Sequence, residues 1–469
     1  MGLRKMKVLL IKYHPEKIIN AAKLKPIISV EGITPPLGLA YIAAVLEKEG
    51  YNVKILDCQI LNLDINGTKD EIKRYDPDVV GITCMTPILH GVLEVAKLAK
   101  EINGNIKIAI GGPHLSIFPE ETVSFPFVDF GIMGEGEYIF LDLIKVLEKN
   151  NKKFEDIDGL VWKNNGKVII NKRREPIFNL DKLPFPARHL LQLKKYEVII
   201  MKYPMTTMVA SRGCPFHCSY CFKDFHTRIY RTRSAKNVVD EMEECVNKFK
   251  VKEIGFYDDC WPNKQLLKDI CKEIINRGLD IAWESPQRVD LVNEYLLKLM
   301  HKAGCERLRF GVESGSERLL AMIKKGNLQQ IKNAFKLSKK AGIETFAFFM
   351  ISYPTETYND FLKTLDLAKK IDADWAVFGA TLPYPGTKLW EQAVNEFNYD
   401  KNYWHEWSLG IRNDQIPYFS EDAEEKCRLA YREFYIRLNF MFKKILKIRS
   451  WYDIKRYWRG FQAIRQFKM

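Results

Sequence analysis

The sequence predicts an α/β protein built from two parallel-sheet units in tandem: a doubly wound, Rossmann-like N-terminal domain, then a partial (β/α)6 barrel, then a basic helical tail. Three observations carry this expectation. Short apolar runs alternate with amphipathic stretches through both halves of the chain, the pattern of parallel strands wrapped by helices. Glycines fall just past the apolar runs of the first half, at the carboxyl ends of an open sheet, where ligands approach the backbone. The net charge of +14 is concentrated at one end: from Lys426 to Met469 there are thirteen basic side chains and two acidic ones, a surplus of eleven.

Composition excludes two classes. A chain of 469 residues is too long for one small domain, and 46% hydrophobic with 28% charged residues is far from a disordered composition. No N-terminal run reads as a signal peptide, and no stretch approaches the roughly 20 apolar residues of a spanning helix. The expected location is the cytoplasm, where the ten cysteines stay reduced and a cluster of them points to metal.

In chain order, residues 1–150 form the first domain, with strands expected at Val8–Tyr13, Val53–Asp57, Val79–Cys84, Ile106–Ile110 and Val128–Met133. Leu37–Glu49 has helical spacing and stops at Gly50. Residues 151–200 read as a linker, with a hairpin at Leu160–Ile170 turning on Asn165-Gly166 and prolines at 176, 184 and 186. Residues 201–422 hold six more strands, near Thr206–Ser211, Glu253–Tyr257, Asp280–Trp283, Arg307–Val312, Thr345–Ile351 and Asp374–Gly379. In a barrel the active site lies at the carboxyl ends of such strands. Residues 423–469 are the basic, aromatic tail.

The first barrel strand runs into Ser211-Arg212-Gly213-Cys214-Pro215-Phe216-His217-Cys218-Ser219-Tyr220-Cys221-Phe222, a CxxxCxxC spacing. Three thiolates on one short loop can hold three corners of an iron–sulfur cluster and leave one iron open. A structural zinc with His217 as fourth ligand is the competing reading, but no second ligand pair lies nearby. The other seven cysteines, Cys58, Cys84, Cys245, Cys260, Cys271, Cys305 and Cys427, read as small core hydrophobes dispensable for the cluster.

With that loop at the end of the first of six strands, the chain resembles the radical S-adenosylmethionine enzymes. The resemblance implies a 4Fe-4S cluster on Cys214, Cys218 and Cys221 whose open iron chelates S-adenosylmethionine, and a 5'-deoxyadenosyl radical that takes hydrogen from an unactivated carbon. It further implies cofactor contacts from Phe222, after the last cysteine; from Asp258 or Asp259, after the second strand; from Arg288, after the third; from Glu313 and Ser314, at the end of the fourth; and from Ser352, after the fifth. The fifth-strand segment Ser352-Tyr353-Pro354-Thr355-Glu356-Thr357 departs from the GxPGET of related enzymes, with Ser352 and Thr355 in place of glycines, so a looser backbone approach to adenine is expected. Pro383-Tyr384-Pro385-Gly386-Thr387 matches the PYPGT loop of the subfamily.

Leu37-Gly38-Leu39-Ala40-Tyr41, Val80-Gly81-Ile82-Thr83, Gly111-Gly112-Pro113-His114 and Gly134-Glu135-Gly136-Glu137 together resemble a cobalamin-binding domain. Corrin contacts are implied for Leu37, Gly38, Thr83, Gly111, Gly112, His114, Gly134, Glu135 and Gly136; for His114 a loop histidine bonded to backbone is the other reading. DxHxxG is absent, the corresponding segment being Asp57-Cys58-Gln59-Ile60-Leu61-Asn62, so no histidine ligand to cobalt is implied. The whole, over roughly residues 5–430, is similar to the group that includes anaerobic magnesium-protoporphyrin ester cyclase and the hopanoid methylases.

The expected activity is radical methylation, or another carbon-bond-forming reaction such as cyclisation or coupling, on a small-molecule or lipid-linked substrate, with reduction by a flavodoxin or ferredoxin. The tail is expected to touch an anionic membrane through its cations and through Phe434, Tyr435, Phe440, Phe442, Trp451, Tyr457, Trp458 and Phe461. Its interleaved aromatic and basic residues also suit RNA with a merely structural cluster, the less favoured reading.

Overall fold

In the computed structural model the five apolar runs of the first half form parallel strands β1 (Lys7–Lys12), β2 (Asn52–Asp57), β3 (Val79–Thr83), β4 (Lys107–Gly111) and β5 (Phe130–Ile132). The structure describes residues 4–14, 32–149, 153–222, 228–323, 325–412, 417–438, 440–442 and 458. Strand order is β2-β1-β3-β4-β5, reversing direction on either side of β1, as in doubly wound sheets. Apolar clusters cover both faces, which is why these strands read as nearly continuous hydrophobic runs. The helix Leu37–Lys48 ends at Gly50, whose φ of +81° is the left-handed conformation that closes helices.

The segment read as a linker contributes to this sheet. Strands β6 (Leu160–Asn164) and β7 (Lys167–Ile170) form the expected hairpin, with φ of +49° at Asn165 and +80° at Gly166, and β6 pairs antiparallel with β5. Pairing across this distance carries no local signal, so the hairpin extends the first sheet to seven strands. The chain beyond it also packs closely. Tyr196 donates to Asp57 at the end of β2 (3.0 Å), and the buried Arg188 pairs with Glu241 at 2.6 Å.

Six strands, β8 (Met205–Met208), β11 (Glu253–Phe256), β12 (Ala282–Gln287), β13 (Cys305–Glu313), β14 (Glu344–Ile351) and β15 (Trp375–Ala380), form the second sheet. They pair in strict sequence order, all parallel, as a partial barrel requires. A two-residue ribbon, β9 (Ser211–Arg212) with β10 (Arg231–Thr232), stands apart at the base of the cysteine segment.

The start of the tail closes the barrel edge. In the helix Ala423–Tyr435, the Tyr435 hydroxyl donates to the Ala376 carbonyl (2.8 Å) and accepts from its N–H (2.9 Å), while the Tyr431 hydroxyl accepts from Phe378 N (3.1 Å). Those hydroxyls satisfy backbone groups of edge strand β15 that would otherwise be open to another strand. Of the aromatic residues assigned to membrane contact, Phe434 is therefore buried in the core, with Tyr435 and Phe440 packed against it. Leu438, Phe442 and Trp458 are exposed; Trp451, Tyr457 and Phe461 lie outside the described residues. No helix among the described residues is long and apolar enough to cross a membrane.

Replacing Tyr435 with Phe leaves a buried N–H and carbonyl of β15 without partners. The expected cost is about 1–3 kcal/mol of barrel stability, read as a lower midpoint in equilibrium denaturation. An unchanged midpoint would show that water or a neighbouring chain replaces the hydroxyl.

Candidate functional site

The cysteine segment is built from the end of β8 outward. Beyond β11, Asp258 is buried and accepts hydrogen bonds from Ala210 N with both oxygens (3.1 Å each) and from the Ser211 hydroxyl (2.5 Å). Burial pushes its carboxyl up to about 6, against the pull of those bonds. Asp258 thus fixes the path of the chain into the cysteines, and its oxygens are engaged there rather than offered to a cofactor ammonium. Asp259 is exposed. Cys214 is buried, Cys218 and Cys221 are half-buried, and His217 is exposed. Cys260, set aside in the sequence as a core thiol, lies in hydrogen-bond contact with Cys214, and that contact and burial raise its pKa. Among the described residues no three His, Cys, Asp or Glu side chains converge as on a single ion.

Side chains from the ends of β12, β13 and β14 brace this segment. Tyr220 donates to Glu313 (3.0 Å), and Lys325 donates to both. Tyr353 hydrogen-bonds Ser219 at 2.9 Å. Arg288 lies over the Phe216 ring at 3.8 Å with its guanidinium held by Asp290 through two bonds of 3.0 and 2.9 Å, so its charge is already paired. Ser314 is buried against Thr364 (3.2 Å) and caps Ser316 N (3.1 Å), which places it in loop packing rather than facing a ribose. Phe222 packs under Gly386 of the Pro383–Thr387 loop: at φ +76°, a Cβ on Gly386 would come within 2.8 Å of that ring.

The two positions where glycine was expected keep glycine's conformation. Ser352 has φ of +58° and Thr355 of +66°, both left-handed. Ser352 is buried, its N–H donates to Glu356 at 2.6 Å, and its hydroxyl has no hydrogen-bond partner. The expected loosening is therefore not seen in the backbone; the side chain is accommodated at a cost in strain.

Between the two sheets lies a cavity of about 440 Å³. Leu37, Gly38, Thr83, Gly111, Gly112, Gly134, Glu135 and Gly136 all line it, at the carboxyl ends of the first sheet and the start of its helices. Val209, Arg212 and Tyr257 close it from the barrel, flanking the cysteine segment. Lys12, Tyr13, His14 and Met85 also line it and were missed, since nothing in their local sequence marks them. Gly112 takes φ of +103°, where a Cβ would come within 2.6 Å of the Cys84 carbonyl oxygen. A Cβ at Gly38, by contrast, meets no atom within 4 Å, leaving room for a flat ligand against the backbone.

His114 does not line this cavity. It is fully buried behind it, Nδ1 bonded to the Thr86 hydroxyl at 3.2 Å, its ring 5.2 Å from that of Phe118, and Nε2 without a partner. Neither reading of the sequence placed it there, in the short helix Pro113–Ile117; a single histidine after a glycine pair carries no signal of its burial.

The matched families follow this geometry. The B12 binding domain family matches residues 25–144 and the radical SAM superfamily residues 208–368. The fold and site together define a radical S-adenosylmethionine enzyme with a B12-binding domain. The chain belongs to the cobalamin-dependent radical SAM methyltransferase family, whose cofactors are cobalamin, S-adenosylmethionine and a 4Fe-4S cluster. It is 37% identical to an uncharacterized methyltransferase of Pyrococcus horikoshii, over 98% of each chain. It is 30% identical, over 86% of each, to cytidylyl-2-hydroxyethylphosphonate methyltransferase of Streptomyces wedmorensis. Anaerobic magnesium-protoporphyrin IX monomethyl ester cyclase of Rubrivivax gelatinosus is 29% identical over 93% of this chain and 78% of its own. Among solved structures the fold is shared with OxsB bound to aqua-cobalamin and S-adenosylmethionine, at TM-score 0.72 and 19% identity over 99% of this chain and 72% of that one. It is also shared with TsrM of Kitasatospora setae, at TM-score 0.68 and 18% identity over 84% and 79%.

The buried His114 makes a testable contribution to acid stability. Burial, with the nearby His405, which pairs with Glu121 at 2.6 Å, lowers its pKa from 6.5 to about 4. Between those values the folded state binds fewer protons than the unfolded one, so stability falls as pH drops through this window, by on the order of 2–3 kcal/mol. His114→Gln is expected to remove most of that loss, measured by denaturation at several pH values from 7 to 4. Identical pH profiles for variant and wild type would rule the linkage out.

Proposed function

We propose that this protein methylates an unactivated carbon of a small molecule, with Cys214, Cys218 and Cys221 holding the cluster and the cavity between the sheets holding the corrin. One observation carries the reading: the wall of that cavity opposite the first sheet is made by Val209, Arg212 and Tyr257, which flank the cysteine segment. The donor chemistry fits. Three thiols on one loop suit an iron–sulfur cluster with an open iron, and the largely apolar, glycine-edged cavity suits the face of a macrocycle.

When bound, these groups supply one-electron cleavage of a sulfur–carbon bond and a transferable methyl group. The chain's own residues orient them. Asp258 and the Tyr220–Glu313–Lys325 set hold the cysteine segment, Phe222 offers a ring to adenine, and Ser352 presents an unpartnered buried hydroxyl. Leu37, Gly38 and Gly111 let the corrin lie against backbone. Cyclisation or coupling without methyl transfer is the second reading, favoured by the likeness to the ester cyclase; product mass distinguishes them.

The finer parts of the proposal are a lipid or lipid-linked substrate, reduction by a flavodoxin- or ferredoxin-type donor, and contact of the region after Tyr435 with an anionic bilayer. The exposed Leu438 and Phe442 and the cationic sequence that follows support the last.

After anaerobic reconstitution, wild-type protein is expected to hold about four irons per chain and Cys218→Ala few or none, with cobalamin uptake the same in both. A Cys218→Ala protein that keeps its iron and cleaves S-adenosylmethionine sinks the ligand assignment. In sedimentation with liposomes at low salt, the protein is expected to pellet with anionic and not with neutral vesicles; a supernatant-only result with both ends the membrane proposal, and loss of pelleting on adding competing RNA redirects the tail to nucleic acid.

A further inference from the structure

The base of the cysteine segment carries an electrostatic problem that the first domain resolves. Ribbon strands β9 and β10 bracket residues 213–230 and pair at only two positions, Thr232 with Ser211 and Arg231 with Arg212. Two arginines therefore stand directly opposite each other, an arrangement that repels, and both are buried. A two-rung ribbon with buried like charges does not close unaided.

Glu135 lies between them. Its Oε1 accepts from Arg212 at 2.9 Å and its Oε2 from Arg231 at 2.7 Å, while Ile177 N donates to Oε2 at 2.7 Å. Glu137, two residues on, takes the second Arg212 nitrogen at 2.5 Å, and the Tyr41 ring lies 5.2 Å from the Arg212 guanidinium. Both glutamates come from the other domain, Glu135 from just after β5 and Glu137 from the first turn of the helix Gly136–Lys149. The two arginines outweigh burial and keep Glu135 ionised, its pKa below the usual carboxylate value.

We propose that Glu135 is a positioning residue for the three-cysteine loop: by bridging Arg212 and Arg231 it closes the ribbon beneath the loop and ties the loop to the domain that binds the corrin. This rests on the reading of Cys214, Cys218 and Cys221 as cluster ligands. It differs from the direct corrin contact that resemblance implies for Glu135, because both carboxylate oxygens are taken by the ribbon and by Ile177.

The test uses full-length protein reconstituted anaerobically with iron, sulfide and cobalamin. Wild type, Glu135→Gln and Glu135→Gln/Arg231→Gln are challenged with an iron chelator, cluster absorbance is followed, and bound cobalamin and melting temperature are measured in parallel. Glu135→Gln is expected to shorten the cluster half-life by about tenfold or more, the range seen when groups orienting metal ligands are removed, with cobalamin retained. The double variant, which removes one of the opposed charges, is expected to recover most of the half-life. Loss of cobalamin with an intact cluster lifetime overturns the proposal in favour of a corrin contact; so does an unchanged lifetime, or a double variant as labile as the single one. Should Glu135→Gln fail to fold, Glu135→Asp reads the same closure: its shorter carboxylate cannot span both guanidinium groups, and a wild-type half-life there overturns the proposal. If instead the ligand assignment is at fault, Cys218→Ala holds as much iron as wild type, a result independent of Glu135.

Discussion

The apposition of the two domains depends on buried charge that is neutral only when both domains are present. Arg212 and Arg231 of the barrel face Glu135 and Glu137 of the first domain. Behind them Glu241, fully buried, is shared by Arg188 and Arg233 at 2.6 and 2.5 Å. Leaving a buried charge unpaired costs roughly 3–5 kcal/mol, so separating the domains exposes or orphans several groups at once. Such pairs add little net stability over apolar packing, but they fix register. Register is what a cavity shared by two domains needs, because its opposite walls belong to different folding units.

The fold was legible in the sequence because its signals are local. Apolar runs, Gly50 after its helix, Asn165-Gly166 in its turn and the CxxxCxxC spacing each report on a few consecutive residues. What escaped depends on partners far along the chain. Nothing near Leu160 says that the hairpin joins β5, and nothing near Asp258 says that its oxygens bind Ala210 and Ser211. Cys260 reads in sequence like any other core cysteine; the pairing of β8 with β11, remote along the chain, brings its thiol to Cys214. His114 lies outside the cavity lining because its partner, Thr86, comes from the segment after β3.

Departures from a motif are informative in a different way. Serine and threonine at positions 352 and 355 suggested a relaxed loop, yet both retain positive φ. Glu313, at the end of β13, does so as well, with φ of +67°. Non-glycine residues held there cost of order 1–3 kcal/mol each and persist only where their surroundings over-determine them. Those surroundings are visible. Glu313 is tied by Tyr220 and Lys325, Ser352 by Glu356, and Thr355 by Arg318, whose Nη1 donates to its hydroxyl at 3.0 Å.

The two faces of the active region are thus built in opposite ways. On the first domain the edge of the cavity lacks side chains, as at Gly38, where a Cβ would meet no atom within 4 Å. The barrel strand ends carry side chains that are pinned, as at Glu313 and Ser352. Glycine edges yield easily to a large, flat partner, and they can tolerate small shifts in its seating. Pinned, strained strand ends cannot shift without breaking several bonds together, so they suit the side that must hold a reactive group at one distance from a carbon atom. The cysteine loop sits on that rigid side, and the ribbon that closes its base borrows its counter-charge from the compliant one. With Glu135 in the positioning role proposed for it, correct seating of the two domains is thereby a condition for a well-formed cysteine loop.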